Sequence, residues 1–380
     1  MRRWVATVAL LMPLLLVGCG SSHPRTAAPP KRPHPRSVVA ISGMQFNVTG
    51  VGWLWGSSVT GLSALGVQDP GESAWTPFRT PEAVPNPQRG VVVTPYFLTP
   101  RVAWLAWIGS SAAHEVLHTA RTEDGGATWS RFESILADPF QNVDSLAFTS
   151  RTQGLTLTST AMSAGQISFA LFATSDGGRH WSNTDSSGAL AGLHGDAAIT
   201  LSPSGQDWIS GEDVHPILHG TTEVYLATSR NDGPWRRLSL PVPRALARGY
   251  YTVSQPPTEH GNQVEVTVDF NASDSTKAYF VSYSSSDGGA TWVFGQPVAG
   301  SATTSFLTPL QGIALVNHGL YSTADGGSTW HLVAAHVAFQ GVATGLHMTT
   351  SENGWALFTY DGESGLVRTS DGGRTWHAAL

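Results

Sequence analysis

Three groups of residues carry side chains and spacings that could do chemistry. His114-Glu115-Val-Leu-His118 has the H-E-x-x-H arrangement that holds a catalytic zinc when both histidines share one face of a helix. Here the stretch runs straight into Thr119-Ala-Arg-Thr-Glu-Asp124-Gly-Gly and reads as a strand. Residues four apart on a strand are separated by about 13 Å, too far to share an ion whose ligands stand about 2 Å away. The second group is Asp144, Asp196, Glu212, Asp213, Glu265 and Asp269. Two carboxylates facing one cleft could cleave a glycosidic bond, but no spacing pairs these six, and solvation at the surface is the simpler reading. The third group is a set of aspartates in repeated turns. A hard cation wants six or more oxygens, and each of these aspartates already has a turn to hold. There is no nucleophile elbow, phosphate-binding loop or dinucleotide fingerprint. No catalytic, metal-binding or cofactor-binding residue is therefore assigned.

The turns themselves form a repeat. Five copies are close: Thr122-Glu-Asp124-Gly-Gly-Ala-Thr-Trp129, Thr174-Ser-Asp176-Gly-Gly-Arg-His-Trp181, Ser285-Ser-Asp287-Gly-Gly-Ala-Thr-Trp292, Thr323-Ala-Asp325-Gly-Gly-Ser-Thr-Trp330 and Thr369-Ser-Asp371-Gly-Gly-Arg-Thr-Trp376. A sixth, Arg230-Asn-Asp232-Gly-Pro-Trp235, is eroded, and Gln68-Asp69-Pro-Gly71-Glu-Ser-Ala-Trp75 is a degenerate seventh. Asp-Gly-Gly between β-rich runs predicts a tight turn, since Gly takes φ > 0 without a Cβ clash. The Asp is expected to accept N–H groups two residues on, and the Trp to pack between neighbouring units. Alternating runs such as Ile167-Ser-Phe-Ala-Leu-Phe-Ala173 precede the turns and read as strands. A second pattern, including Gly52-Trp-Leu-Trp-Gly56, Ala103-Trp-Leu-Ala-Trp107, Asp207-Trp-Ile-Ser210 and Gly354-Trp-Ala-Leu357, follows a short apolar strand and a turn. Each unit thus reads as four antiparallel strands, the blade of a β-propeller. Seven units of roughly 49 residues fit residues 39–380. The expected fold is all-β, a seven-bladed propeller.

These motifs resemble the Asp-box, or BNR repeat, of sialidases, sortilin-type receptors, some xyloglucan hydrolases and the Ycf48-type photosystem assembly factors. The pairing of Gly-Trp-Ala/Leu strands with Thr-x-Asp-Gly-Gly-x-Thr-Trp turns looks most like the Ycf48 type. The resemblance covers nearly all of 39–380 and implies structural roles for Asp124, Trp129, Asp176, Trp181, Asp232, Trp235, Asp287, Trp292, Asp325, Trp330, Asp371 and Trp376. It does not imply a chemistry. Phe78-Arg79-Thr80-Pro81 resembles the sialidase Phe/Tyr-Arg-Ile-Pro motif with Thr for Ile. That motif needs partner arginines. Arg179 and Arg374 lie inside turns, and Arg236 and Arg237 belong to an outer strand.

The first residues address the chain. Arg2 and Arg3 precede an apolar stretch from Val5 to Val17, so residues 1–18 read as an export signal. Leu16-Val17-Gly18-Cys19 resembles the bacterial lipobox, which implies lipidation of Cys19, the only cysteine. Residues 19–38, with Pro24, Pro29, Pro30, Pro33 and Pro35, read as a tether. All 27 acidic residues lie after residue 38, but only 15 of the 21 basic ones do, which leaves 39–380 near −12. So acidic a body lacks the electrostatic footprint of a nucleic-acid binder. The expectation is a monomeric propeller, lipid-anchored on the outer side of a membrane of the cell envelope. It would act as a non-catalytic binding or assembly scaffold for a protein partner or a cell-surface glycan. The long stretches 80–90, 211–221 and 250–263 are the expected specificity loops. The alternative is a glycan-active enzyme, sialidase-like or another glycoside hydrolase.

Overall fold

The computed structural model describes residues 40–46, 51–58, 61–68, 75–78, 91, 93–111, 114–136, 140–160, 167–184, 188–191, 193–202, 204–213, 224–231, 233–246, 249–253, 256–272, 277–334, 337, 341–361 and 363–379. Its strands fall into seven consecutive blades. Blade 1 holds β1 (Ala40–Phe46), β2 (Gly52–Ser58), β3 (Gly61–Gln68) and β4 (Thr76–Phe78), and blade 2 holds β5 (Thr94–Thr99), β6 (Val102–Ser111), β7 (His114–Thr122) and β8 (Ser130–Ile135). Blade 3 follows with β9 (Phe140–Phe148), β10 (Gly154–Thr160), β11 (Phe169–Thr174) and β12 (Ser182–Asn183), and blade 4 with β13 (His194–Thr200), β14 (Gln206–Asp213), β15 (Tyr225–Arg230) and β16 (Arg236–Ser239). Blade 5 is the most elaborate: β17 (Gly249–Thr252), β18 (Thr258–His260), β19 (Gln263–Ala272), β20 (Ala278–Ser285), β21 (Val293–Phe294) and β22 (Val298–Ala299). Blade 6 has β23 (Ala302–Phe306), β24 (Gly312–Val316), β25 (Gly319–Thr323) and β26 (His331–Ala334), and blade 7 has β27 (Val342–Met348), β28 (Gly354–Tyr360), β29 (Glu363–Thr369) and β30 (His377–Ala378). Pairing within every blade is antiparallel.

The blade faces, rather than the strand edges, hold the ring together. Among the described residues, seven apolar clusters fill seven seams, one between each pair of neighbouring blades. One of these, Leu54 with Trp355 and Leu366, joins blade 1 to blade 7, so apolar packing closes the ring, with no exchanged strand among the described residues. First strands neighbour one another around the inside and are stitched by side chains: Ser145 Oγ accepts Ile199 N–H (2.9 Å) and Thr303 Oγ1 donates to Ala343 O (2.8 Å). Blades 4 and 5 go further and share one sheet, because Glu212 and Asp213 of β14 pair with Thr252 and Tyr251 of β17.

A large residue at the end of the first strand lies over a small one at the start of the second. Phe46 pairs with Gly52, Phe148 with Gly154, Phe306 with Gly312 and Met348 with Gly354. A Cβ on any of these glycines would run into the facing ring or sulfur. The bare glycine therefore lets the aromatic lie flat on the strand and reach the tryptophan beyond it: Phe46–Trp75, Phe148–Trp181 and Phe306–Trp330 all meet edge to face, with centroids 5.9–6.2 Å apart.

Candidate functional site

The five described Asp-Gly-Gly turns share one hydrogen-bond scheme. In the turn of blade 2, Thr122 Oγ1 donates to Asp124 Oδ1 (2.9 Å) and accepts Gly126 N–H (2.9 Å). Asp124 also accepts Thr128 N–H (2.9 Å) and Thr128 Oγ1–H (2.6 Å). The carboxylate thus reaches four residues on, not two. The tight geometry needs both glycines at φ between 69° and 87° in every copy, which curls the chain so that the i+4 N–H points back at the carboxylate. The first Gly N–H donates to the loop between the first two strands, as Gly125 does to Arg101 O (2.9 Å).

These bonds set the electrostatics. At Asp124 and Asp371 the hydroxyl of Thr128 or Thr375, followed by the N–H of the same residue, holds the carboxyl down to about 2. At Asp287 the N–H of Thr291 leads and its hydroxyl follows, again to about 2. Burial pushes Asp176 upward, but the ring and N–H of His180 outweigh it and the value falls to about 2. Asp325 is lowered in the same way, Thr329 overcoming burial. Every one of these oxygens is committed to its own turn. The tryptophans complete the picture: Trp129, Trp181, Trp235, Trp292, Trp330 and Trp376 each pack into the seam with the preceding blade. Trp181 Nε1 donates to Thr119 Oγ1 (3.0 Å) and Trp330 Nε1 to Ser282 Oγ (3.1 Å), two equivalent atoms of preceding third strands. Asp232 lies outside the described residues.

The remaining candidates do not converge. His114 and His118 are on β7, four residues apart along a strand. His118 stacks on Trp107 (5.2 Å, 12°) with its Nδ1 3.3 Å from Glu133. Burial holds its pKa below the ordinary value, against the pull of Glu133. Asp144 of blade 3 accepts Ser159 Oγ–H (2.9 Å), and Asp269 of blade 5 accepts Ala302 N–H (3.1 Å) from blade 6. Asp196, Glu212 and Asp213 are on strands of blade 4, with side chains outside the described residues. Phe78 ends β4, an outer strand, while Arg79, Thr80 and Pro81 lie outside the described residues, as do Cys19, the rest of 1–38 and the loop 80–90. The stretch 250–263 holds strand at both its ends: β17 and β18 are two halves of one broken first strand, both paired to β19.

Sequence reasoning missed a seam position. At one equivalent position of the second strand, set by its pairing with the third, six blades carry Trp53, Trp104, Leu155, Trp208, Ile313 or Trp355, but blade 5 carries Glu265, which pairs with Ser284. Glu265 is 2% exposed, its Oε2 has no partner, and burial pushes its pKa up to about 8. With Thr267 and Asp269 on the same face, it makes the blade 5–6 seam polar, and the apolar cluster there shrinks to Phe280, Ala302, Ala314 and Val316. The partner of Trp in the third strand is an arginine in blades 2 and 7: Arg121 lies over Trp104 (5.6 Å) and Arg368 over Trp355 (5.7 Å). Trp355, Arg368, Ser370 and His377 line a cavity of ≈ 290 Å³.

The fold defines a seven-bladed, all-β propeller of four-stranded antiparallel blades. No protein-family model and no curated protein sequence matches the chain. Among solved structures it is similar to YCF48 bound to a D1 peptide (16% identity over 88% of this chain and 94% of that one, TM-score 0.50). It is also similar to YCF48 from Cyanidioschyzon merolae (16% over 89% and 97%, TM-score 0.45) and to a PL25 polysaccharide lyase, an ulvan lyase (11% over 90% and 96%, TM-score 0.54). At such identities the likeness is one of fold.

Proposed function

We propose that this chain is a non-catalytic binding or assembly scaffold, an Asp-box propeller of the Ycf48 kind held at the outer face of a bacterial membrane through lipidated Cys19. The observation that carries the reading is the use made of the carboxylates. The five described turn aspartates are bonded within their own turns, Asp144 ties two strands, and Asp269 ties two blades. These are acceptors built into the ring, not groups held ready for a substrate, and the unpartnered Glu265 is sealed inside a seam. The similar propeller solved with a D1 peptide makes a protein partner the favoured ligand class, and a monomeric ring would leave its outer strands available to it.

The test is capture from cross-linked membranes with the intact lipoprotein. Recovery of one stoichiometric protein partner is expected. Turnover of sialyl, glucan or ulvan substrates, lost on mutating a carboxylate pair, would instead establish the glycan-active alternative that the lyase-like fold keeps open. For the anchor, Cys19→Ser is expected to release the protein from the membrane fraction. Full retention would refute lipidation as the tether.

A further inference from the structure

The seams between blades 2 and 3 and between blades 7 and 1 use the same residues in different ways. In the first, Trp104 and Arg121 face the turn of the next blade. Trp104 Nε1 donates to Gly177 O (3.0 Å), and a Cβ on Gly177 would collide with the Arg121 guanidinium. Phe148 stacks on Trp104 (3.8 Å, 7°), and Arg121 finds its counter-charge two residues on, in Glu123. This tryptophan–arginine pair is a receptor for a peptide turn, satisfied from within the ring.

In blade 7 the pair recurs as Trp355 and Arg368 in the same register, but the stacking ring and the counter-charge change, while the blade 1 counterpart of the Gly177 turn lies outside the described residues. Phe46, the counterpart of Phe148, stacks on His347 of the neighbouring strand (4.2 Å, 3°). Trp75 meets Trp355 only edge to face (5.4 Å). The residue two after Arg368 is Ser370, where blade 2 has Glu123. No acidic side chain among the described residues pairs with Arg368, and His377 stands cross-strand beside it. The result is the ≈ 290 Å³ cavity, with an indole, a guanidinium, a hydroxyl and an imidazole on its wall. Its size is near the lower end for ligand pockets, about 300–1,000 Å³, and suits one or two residues.

We propose that this slot binds an acidic peptide: an aspartyl turn of a partner protein, whose carbonyl takes the Trp355 N–H and whose carboxylate takes Arg368. The carboxylate replaces the one Glu123 supplies in blade 2, and a guanidinium accepts it in a bidentate fork. The inference deepens the scaffold reading by naming a site and a ligand chemistry, and it rests on that reading.

The experiment follows the tryptophan indole N–H resonances of the ¹⁵N-Trp-labelled full chain in detergent during titration with Ac-Asp-Gly-Gly-NH₂. Saturable shifts of the Trp355 signal, assigned by Trp355→Phe, are expected. Ac-Asn-Gly-Gly-NH₂ and Arg368→Gln are each expected to weaken binding by about tenfold, the loss of a charge-assisted hydrogen bond. Ser370→Glu is expected to abolish binding by supplying the carboxylate from within, at an exposed position where the fold is undisturbed. Equal binding of the Asn peptide, unchanged binding by Ser370→Glu, or no saturable shift overturns the proposal. Binding of glucuronate in preference to the peptide overturns the peptide assignment. A partner still captured from membranes by the Ser370→Glu protein refutes the slot while leaving the scaffold reading intact.

Discussion

Glu265 offers a sharp test of how the seams are built. It occupies a position that is Trp, Leu or Ile in the other six blades, and its Oε2 is buried without a partner. Ionising it in the folded state is unfavourable because the charge leaves water for a buried seam where its Oε2 has no partner. Its pKa rises from 4.5 to about 8 for that reason alone. A folded pKa above the unfolded one means that the folded state binds more protons between those values, so stability falls as pH climbs through that interval. At about 1.4 kcal/mol per pH unit, the rise sets a ceiling of about 5 kcal/mol on the loss by pH 8. The measurement is urea unfolding of wild type and Glu265→Gln from pH 5 to 9. His118, His260 and His347, lowered by burial and the last to about 4, act with the opposite sign at the acid end, but they are common to both proteins. The difference between the curves therefore isolates Glu265. The variant is expected to gain on wild type from pH 5 to 8 and to hold a constant advantage above. Glu265→Leu, which imitates Leu155, is expected to exceed wild type at pH 8. Parallel curves for wild type and the Gln variant would refute the buried-carboxyl argument.

Two further outcomes follow from the same contacts. Asp176→Ala removes an acceptor of the Thr174 hydroxyl, two backbone N–H groups and the His180 ring. Discounted for its contact with water, this is expected to lower stability by about 1–2 kcal/mol, and the lost increment is present above the ordinary carboxylate value of 3.8 and vanishes as pH falls through about 2. An unchanged urea midpoint at pH 7 would show the turn to be held by its glycines alone. Phe46→Ala strips the half-buried ring stacked on His347 and is expected to cost up to about 3 kcal/mol, the low end for a buried aromatic, with hydrogen exchange accelerated first in blades 1 and 7. Uniform acceleration around the ring would mean that closure does not depend on this seam.

The fold was legible because the turn chemistry is local. Asp-Gly-Gly with a Thr two residues before and a Trp five after fixes a hairpin wherever it occurs, and copies at a steady spacing leave a propeller as the natural reading. A further signal lay within reach: Phe46, Phe148, Phe306 and Met348 each stand six residues before the glycine they cover, the span of one inner hairpin. What could not be read was which face of a blade meets which residue of the next. Glu265 looked like an ordinary strand carboxylate, because its burial is created by blade 6, dozens of residues away. The broken first strand of blade 5 reads as a loop in the sequence for a similar reason. Pro256 and Pro257 interrupt it, and only the long β19 alongside shows that β17 and β18 are one strand in two pieces.

A ring of near-identical units carries its information where the units differ. Five turns share one scheme of bonds, the His180 ring standing in for a Thr hydroxyl in blade 3, so the repeat itself does little to distinguish one ligand from another. Distinctiveness enters where a repeated contact is withdrawn. Blade 5 gives up an aromatic for a carboxylate, and its first strand breaks. Blade 1 carries Asp69-Pro70-Gly71 where five others have Asp-Gly-Gly, and across that seam Trp355 and Arg368 of blade 7 keep their register without, among the described residues, the stacking ring and counter-charge their blade 2 counterparts possess. The repeat pre-pays the geometry of a peptide-reading pair in blade 2. Blade 7 then needs only two departures, Ser370 in place of a glutamate and Phe46 stacked one strand inward, to turn a structural contact into an open one.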